Sequence, residues 1–293
     1  MTVDVREAIR QRVSVRRYDG RPVASEVLAE VLKAGAESVP LVPEIEIRFH
    51  LIEEGHRVVD RLFLIPGTYG LYGLFPHFIV ATSRERPGFM ENLGFLMEQM
   101  ILRATALGLG TCWMGGMFKE GAIKELLGEE GQDQRVVALM PIGHHDASWW
   151  VRSVQRLIKE GTAYQGRRRP LAEILFDRKW GIPWQREGSL REVIELARLA
   201  PSWANTQPWS FIVDEDCISA TADTTPGWGN LRYCKAYYRL DTGIAMSHLF
   251  LAGRELGWVG EWHVRGIESQ ALITGYGIPP HVEVIGLYEP VGR

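Results

Sequence analysis

The chain has 293 residues, 46% of them hydrophobic and 24% charged, and its 33 basic and 36 acidic side chains leave a net charge of −3. This is ordinary globular composition, enough for one large domain or two ordinary ones, and it carries no electrostatic footprint of a nucleic-acid partner. Cys112, Cys217 and Cys234 are too few and too scattered for a disulfide framework or a zinc knuckle, and read as free thiols in a reducing cytoplasm.

The opening MTVDVREAIR places Asp4, Arg6 and Glu7 where an export signal needs an apolar core, so no export signal is expected. RVSVRRY (12–18) follows, with Arg12, Ser14 and Arg16 at i, i+2 and i+4. In an extended segment these side chains point to one side. Two guanidiniums and a hydroxyl facing together make an anion receptor, because planar forks match phosphate oxygens; a solvated basic turn is the alternative. PVASEVLAEVLKAGAES (22–38) reads as a helix beginning near Ser25, and EIEIRFHLI (44–52) as a β-rich run. Residues 62–83 lack Asp, Glu, Lys and Arg, but Pro66, Gly67, Gly70, Gly73 and Pro76 rule out one membrane-spanning helix. The expectation is a loop leading into a buried strand, FPHFIVATS.

The next stretch exposes a repeat. ENLGFLMEQMILRATALGLGTCW (91–113) aligns without a gap, at an offset of 149, with LDTGIAMSHLFLAGRELGWVGEW (240–262). Gly94 meets Gly243, Met97 meets Met246, Leu102 meets Leu251, and Trp113 meets Trp262. Each stretch reads as an amphipathic helix with a glycine near its end, where a left-handed C-cap is common. GLGTCWMGGM (108–117) then supplies glycines that let backbone N–H groups approach a flat ligand, or simply cap the helix. It matches neither a dinucleotide fingerprint nor a phosphate loop. RVVALMPIG (135–143) reads as a strand.

Residues 144–170 read as a connection, with WWVRSVQRLIKEG as a surface helix and Arg167, Arg168 and Arg169 before Pro170. That triple arginine is either a solvated face or further charge for a phosphate site. His144 and His145 have no carboxylate or cysteine at ligand spacing, so no metal site is expected. SLREVIELARLA (189–200) reads as a helix opened by a capping box, Ser189 with Glu192, and stopped by Pro201. In APSWANTQPW (200–209) Ser202, Asn205 and Gln207 suit hydrogen bonding to a heterocycle edge, while Trp203 and Trp209 can stack on it or pack in the core. PWSFIVD (208–214), the second long helix and the strand HVEVIGLYEP (281–290) repeat the earlier order. The pattern predicts a duplicated α+β unit: a first copy at 1–147, a connecting segment at 148–169 and a second copy at 170–293. The copies are expected to pack through equivalent patches, as two-fold dimers do, with the long helices at the centre.

These blocks resemble the nitroreductase-like FMN oxidoreductases. R-x-S-x-R-x-[YF] stands at Arg12–Tyr18, A-P-S-x-x-N-x-Q-P-W-x-F at Ala200–Phe211, GLGTCWMGG at 108–116 before a strand ending P-I-G, and R-x-P-L at Arg168–Leu171. The resemblance implies an α+β nitroreductase-like fold. An ordinary member forms a homodimer with two flavin sites across its interface. Here the first copy has AGAESVPLVPEIE in place of the asparagine motif, and the second has LFDRKWGIPW in place of the arginine motif. The chain therefore resembles the internally duplicated TM-nitroreductase subgroup, an intramolecular pseudo-dimer with one FMN in the seam. By that resemblance Arg12, Ser14 and Arg168 hold the phosphate, and Arg16 lies near N1 and the C2 carbonyl. A backbone N–H of Gly115 or Gly116 faces N5, and Pro201, Ser202, Asn205 and Gln207 line the far side. No side chain acts as acid or base. The implied reaction is ping-pong, with NAD(P)H as co-substrate and a nitroaromatic, quinone or related small molecule as electron acceptor, in a cytoplasmic protein with no membrane or nucleic-acid partner, preferably a monomer. A non-catalytic flavin-binding protein is the alternative, as is another flavin reaction such as dehalogenation or flavin fragmentation, for which the 144–165 insertion with Trp149, Trp150 and Tyr164 could shape the pocket.

Overall fold

In the computed structural model, which describes residues 4–62, 75–116, 118–131, 133–146, 167–215, 217–225, 237–264 and 269–290, the chain opens with α1 (Val5–Gln11). Its start is fixed by Asp4, whose carboxylate accepts the Glu7 N–H at 3.1 Å, so one orphan donor of the first turn is satisfied. Then come α2 (Ser25–Ala36), β1 (Ile47–Ile52), a single turn α3 (His56–Val59), β2 (His77–Ser83), α4 (Phe89–Ala106), β3 (Gly110–Thr111), α5 (Glu120–Leu127) and β4 (Arg135–Gly143). After the connection follow β5 (Leu175–Asp177), α6 (Ser189–Ala197), β6 (Trp209–Asp214), β7 (Cys217–Asp223), α7 (Tyr238–Glu255), β8 (Gly260–His263), α8 (Ser269–Tyr276) and β9 (Val282–Pro290). The surface helix expected at WWVRSVQRLIKEG, the insertion residues Trp149, Trp150 and Tyr164, and the glycine-broken loop from 63 to 74 lie outside the described residues.

The two sheets show the duplication. The first has the order β1-β2-β4-β3, all antiparallel, and the second β5-β6-β7-β9-β8. Without β5 the orders are the same. Even the irregularities correspond: β2 slips register against β4 between Ala81 and Thr82, and β7 slips against β9 between Ala220 and Thr221. The protein is thus an α+β, nitroreductase-like fold made of two fused copies that pack as an intramolecular pseudo-dimer. The strand β5 is the departure. It comes from LFDRKWGIPW and runs parallel to β6 at one edge of the second sheet. The arginine stretch of the first copy instead bridges the opposite edge of its own sheet, where Ser14 pairs with Thr111.

Strand burial explains why FPHFIVATS reads as a continuous apolar run. Successive side chains alternate between faces. Ile79 and Ala81 enter a core shared by both copies, while Phe78 and Val80 enter a second cluster with Val15, Tyr18, Met114 and Leu139. Both faces of the first sheet are therefore covered.

The shared core is built around α4 and α7. Each is buried nearly all round, including Glu91, Asn92 and Glu98 on α4 and Asp241, Ser247 and His248 on α7. The expected amphipathic stripe is thus absent, because the polar positions meet partners in both copies rather than water. The helices approach through Gly94 and Gly243. A Cβ on Gly94 would press on the carbonyl oxygen of Leu240, and one on Gly243 on that of Glu91. Leu240 is the repeat equivalent of Glu91, so the same contact occurs twice, as an isologous interface requires. Both helices end as the repeat predicts, on glycines in the left-handed region, Gly108 at φ 76° and Gly257 at φ 80°. Ion pairs also cross the seam: Arg239 Nη1, whose neighbour Nη2 pairs with Glu283 of its own copy, donates to Glu91 Oε1 at 2.6 Å, and Arg6 meets Glu192 at 3.2 Å. That last pair engages the glutamate of the expected capping box. The helix instead starts after Gly188, at φ 130°, with no side-chain cap, and Ser189 is its first residue.

Candidate functional site

The arginine stretch is extended because it is sewn to the first sheet. Val15 N–H donates to the Thr111 carbonyl at 2.8 Å, and Val15 and Tyr18 fill the second cluster. Tyr18 Oη donates to the Val15 carbonyl at 2.9 Å. Gly110 permits the approach, since a Cβ there would lie 2.8 Å from the Val15 methyls. With Val15 turned inward, Arg12, Ser14 and Arg16 face the other way. They meet around Cys112, whose thiol is pushed up by burial and pulled down by Arg16, Arg12 and a hydrogen bond with Ser14. The side chain of Arg12 is only 7% exposed, and that of Arg16 is well exposed.

The asparagine loop is held from several directions. Ala204, Asn205 and Gln207 all have positive φ, at 48°, 57° and 47°. Left-handed backbone at a non-glycine residue costs on the order of 1 kcal/mol each, so the surroundings must over-determine it. They do. Trp203 N–H donates to Asp241 Oδ2 at 3.0 Å, and Gln207 N–H donates to Ser202 Oγ at 2.9 Å. Arg168 donates through Nη1 to Asn205 Oδ1 at 2.9 Å and through Nη2 to the Leu199 carbonyl at 2.8 Å. Asn205 Nδ2 and Gln207 Nε2 both reach back to the Arg167 carbonyl, at 3.1 and 3.0 Å, while Gln207 Oε1 accepts the Arg169 N–H at 2.9 Å. The Gln207 side chain is therefore spent on anchoring 167–169, a departure from its expected place among ligand contacts. Trp209 is fully buried in the shared core, so of the two alternatives it packs.

The two stretches converge through Arg168. Its pKa is lowered to about 10, first by burial, then by the like charges of Arg12 and Arg198, against Glu98, which raises it. The guanidinium keeps its charge at neutral pH, and Arg168 feels the like charge of Arg12 from a segment far away in sequence. Arg12 Nε is buried with no hydrogen-bond partner among the described residues. An unmet buried donor near a second guanidinium and a serine hydroxyl has the chemistry that suits an anion such as a phosphate.

Three participants escape sequence reasoning. Glu98, fully buried on α4, accepts the Trp113 Nε1–H at 2.7 Å, lies 3.0 Å from His248 Nε2 and 3.7 Å from Arg12 Nε. His248, also fully buried, reaches the Leu196 carbonyl at 3.2 Å. Tyr237 lies over the glycine loop: a Cβ on Gly115 would be 2.7 Å from its ring, and Gly116 is left-handed at φ 68°. Burial pushes the Tyr237 hydroxyl up to about 12. Among the described residues no three His, Cys, Asp or Glu side chains group as metal ligands, and no helix is long and apolar enough to cross a membrane.

Asp241 and Asn92 occupy equivalent positions and do equivalent work. Asn92 Oδ1 accepts the Val42 N–H at 3.2 Å in the first copy, as Asp241 accepts from Trp203 in the second. Burial raises the Asp241 pKa well above its ordinary value, against the Trp203 hydrogen bond, which lowers it. The native state thus holds a proton that the unfolded state has already lost, so this group's contribution to stability falls as pH rises above the unfolded carboxylate pKa. Asp241→Asn should therefore be more stable than the parent near pH 7, by about 1 kcal/mol, with the advantage shrinking toward pH 4. Denaturant titrations at the two pH values check this, and an advantage that grows in acid would reverse the sign argued here.

The comparisons with known proteins follow the same lines. Among solved structures, a "putative nitroreductase" from Thermotoga maritima superposes with a TM-score of 0.55 at 19% identity, covering 98% of this chain and 93% of that one. A nitroreductase family protein from Clostridium novyi gives 0.43 at 23% identity over 49% of this chain and 86% of its own. A nitroreductase with bound FMN from Bacteroides fragilis gives 0.40 at 19% identity over 49% and 89%. No curated protein matches. The model of one family, described as "Putative TM nitroreductase", matches residues 4–253, and the chain belongs to that family.

Proposed function

We propose that the protein is an FMN-dependent oxidoreductase, binding one FMN per chain in the seam between its copies. The observation that carries the reading is the bridge made by Arg168, which grips Asn205 and the Leu199 carbonyl while lying close to Arg12. Arg12, Ser14 and Arg168 hold the phosphate. Arg16 sets a cation at the pyrimidine edge, where reduction accumulates negative charge. The backbone N–H of Gly115 or Gly116 presents a donor at N5, and Pro201, Ser202 and Asn205 close the opposite side. The FMN, when bound, supplies hydride acceptance and release. The chain's residues bind, orient and tune, and none needs to move a proton.

NAD(P)H and the electron acceptor, a nitroaromatic, a quinone or a related electrophile, use the same site in turn. The first copy is assigned to 1–147, the connection to 148–169 and the second copy to 170–293. The pseudo-dimer already covers the usual dimer interface, so the protein is assigned as a cytoplasmic monomer. The visible spectrum of purified protein, with released flavin quantified per polypeptide, tests the core of this reading. About one FMN per chain is expected, followed by steady NADH or NADPH oxidation on adding a quinone. Two flavins per chain, or none after reconstitution, would remove it; flavin without turnover would favour a non-catalytic binding protein.

A further inference from the structure

We infer that Glu98 is a positioning residue of the phosphate subsite, a built-in counter-ion that holds Arg12 and balances the arginine pair while no anionic ligand is present. This rests on the flavin reading above for the identity of the ligand, but its geometry stands alone. Glu98 has no solvent exposure, and neither arginine side chain beside it is far from the core: Arg12 lies 3.7 Å away, and Arg168 is close enough to feel both charges. A buried and a half-buried guanidinium without an anion would repel each other in a poorly screened setting. Glu98 supplies the missing charge, and two further contacts fix where it sits, the indole N–H of Trp113 at 2.7 Å and the imidazole of His248 at 3.0 Å.

The duplication provides an internal control. The repeat equivalent of Glu98 is Ser247, while the partner Trp113 is kept as Trp262. In the second copy Ser247 Oγ and Trp262 Nε1 are both buried with no hydrogen-bond partner among the described residues. The helix, the tryptophan and the glycine crossing are thus preserved in both copies, yet the carboxylate occurs only in the copy that carries the arginine stretch. The cross-seam contact of Glu98 with His248 is likewise unrepeated, since the equivalent of His248 is Gln99, so the comparison ties the carboxylate to the arginines and that imidazole rather than to the glycine crossing.

The sign of the effect follows from electrostatics. A resident anion competes with an incoming one for the same cations, so it stabilises the ligand-free protein and restrains phosphate affinity. Glu98→Gln, which keeps the side-chain shape, should melt at lower temperature without ligand. Its ratio of riboflavin to FMN dissociation constants should rise by about tenfold or more, because only FMN carries the phosphate. Flavin-stripped full-length protein, titrated with FMN, riboflavin and inorganic phosphate by fluorescence and thermal shift, gives these numbers. An unchanged or smaller ratio overturns the proposal, since a merely structural role would weaken both ligands alike. If Glu98→Gln does not fold alone, inorganic phosphate or FMN should recover soluble protein where riboflavin does not; recovery by neither, or by all three, counts against it. Should the flavin reading itself be wrong, FMN and riboflavin would both fail on the parent protein, while inorganic phosphate would still raise its melting temperature, and raise that of Glu98→Gln more.

Discussion

Replacing Gly243 with alanine is expected to lower the unfolding free energy by about 2–3 kcal/mol, although alanine is the better helix former by about 1 kcal/mol. The added methyl would meet the carbonyl oxygen of Glu91, which is backbone in the middle of the core and cannot rotate away. The only relief is to part α4 from α7, and that loosens packing along the whole crossing. Gly94→Ala should cost a similar amount through the Leu240 carbonyl. The two together should cost less than their sum, because the first methyl has already separated the helices that the second would separate. Gly121 in α5 is the control. A Cβ there meets nothing within 4 Å, so Gly121→Ala should stabilise by about 0.5–1 kcal/mol. Equilibrium denaturation of the four variants decides it; full additivity of the glycine pair, or a neutral Gly243→Ala, is incompatible with the reciprocal contact.

Arg168→Met should weaken FMN binding by about a hundredfold and also lower stability by about 2 kcal/mol. Two consequences follow from one side chain because it has two duties. Its half-buried guanidinium is one of two cations at the proposed phosphate subsite, and its two Nη groups satisfy Asn205 Oδ1 and the Leu199 carbonyl. Without them the loop with three left-handed residues loses a clamp that holds its strained backbone. Arg168→Lys separates the duties. It restores the charge, but a single ammonium cannot reproduce a fork that reaches two acceptors at once. Lysine should therefore recover part of the FMN affinity and little of the stability. Riboflavin affinity should fall less than that of FMN in the methionine variant; an equal loss of both would assign Arg168 to the loop alone.

Much of this architecture is legible in the sequence because the duplication is written in residues that packing holds fixed. Gly94 and Gly243 stay in register because any larger side chain strikes backbone, and the glycines after each long helix stay because the chain turns there through positive φ. Arg12, Ser14 and Asn205 stand out because their residue types serve ligands better than cores. What escaped detection has equally physical causes. Glu98 and His248 sit mid-helix, where periodicity assigns a polar side chain to solvent, and only the partner copy turns that face inward. The short strand Cys217–Asp223 mixes Ser, Thr and Asp into its run, and its burial comes from neighbours on both sides. LFDRKWGIPW gave no hint of β5, since three residues at a sheet edge take their conformation from the strand beside them. The capping box failed because Gly188 takes the N-cap and Ser189 is already helical, which puts Glu192 one position past the place of a capping-box glutamate, and its carboxylate meets Arg6 instead.

The glycine crossing has one more consequence. In a homodimer an interface of this kind is a bimolecular equilibrium, and dilution dissolves it. Here the two helices are carried on one backbone, so their association with each other is unimolecular and dilution does not part them. A tethered pair also escapes the rule that every substitution in a symmetric dimer appears twice. Each face of the crossing drifts alone, which is how one half could keep a carboxylate and an arginine stretch while the other surrendered both without the partnership coming apart.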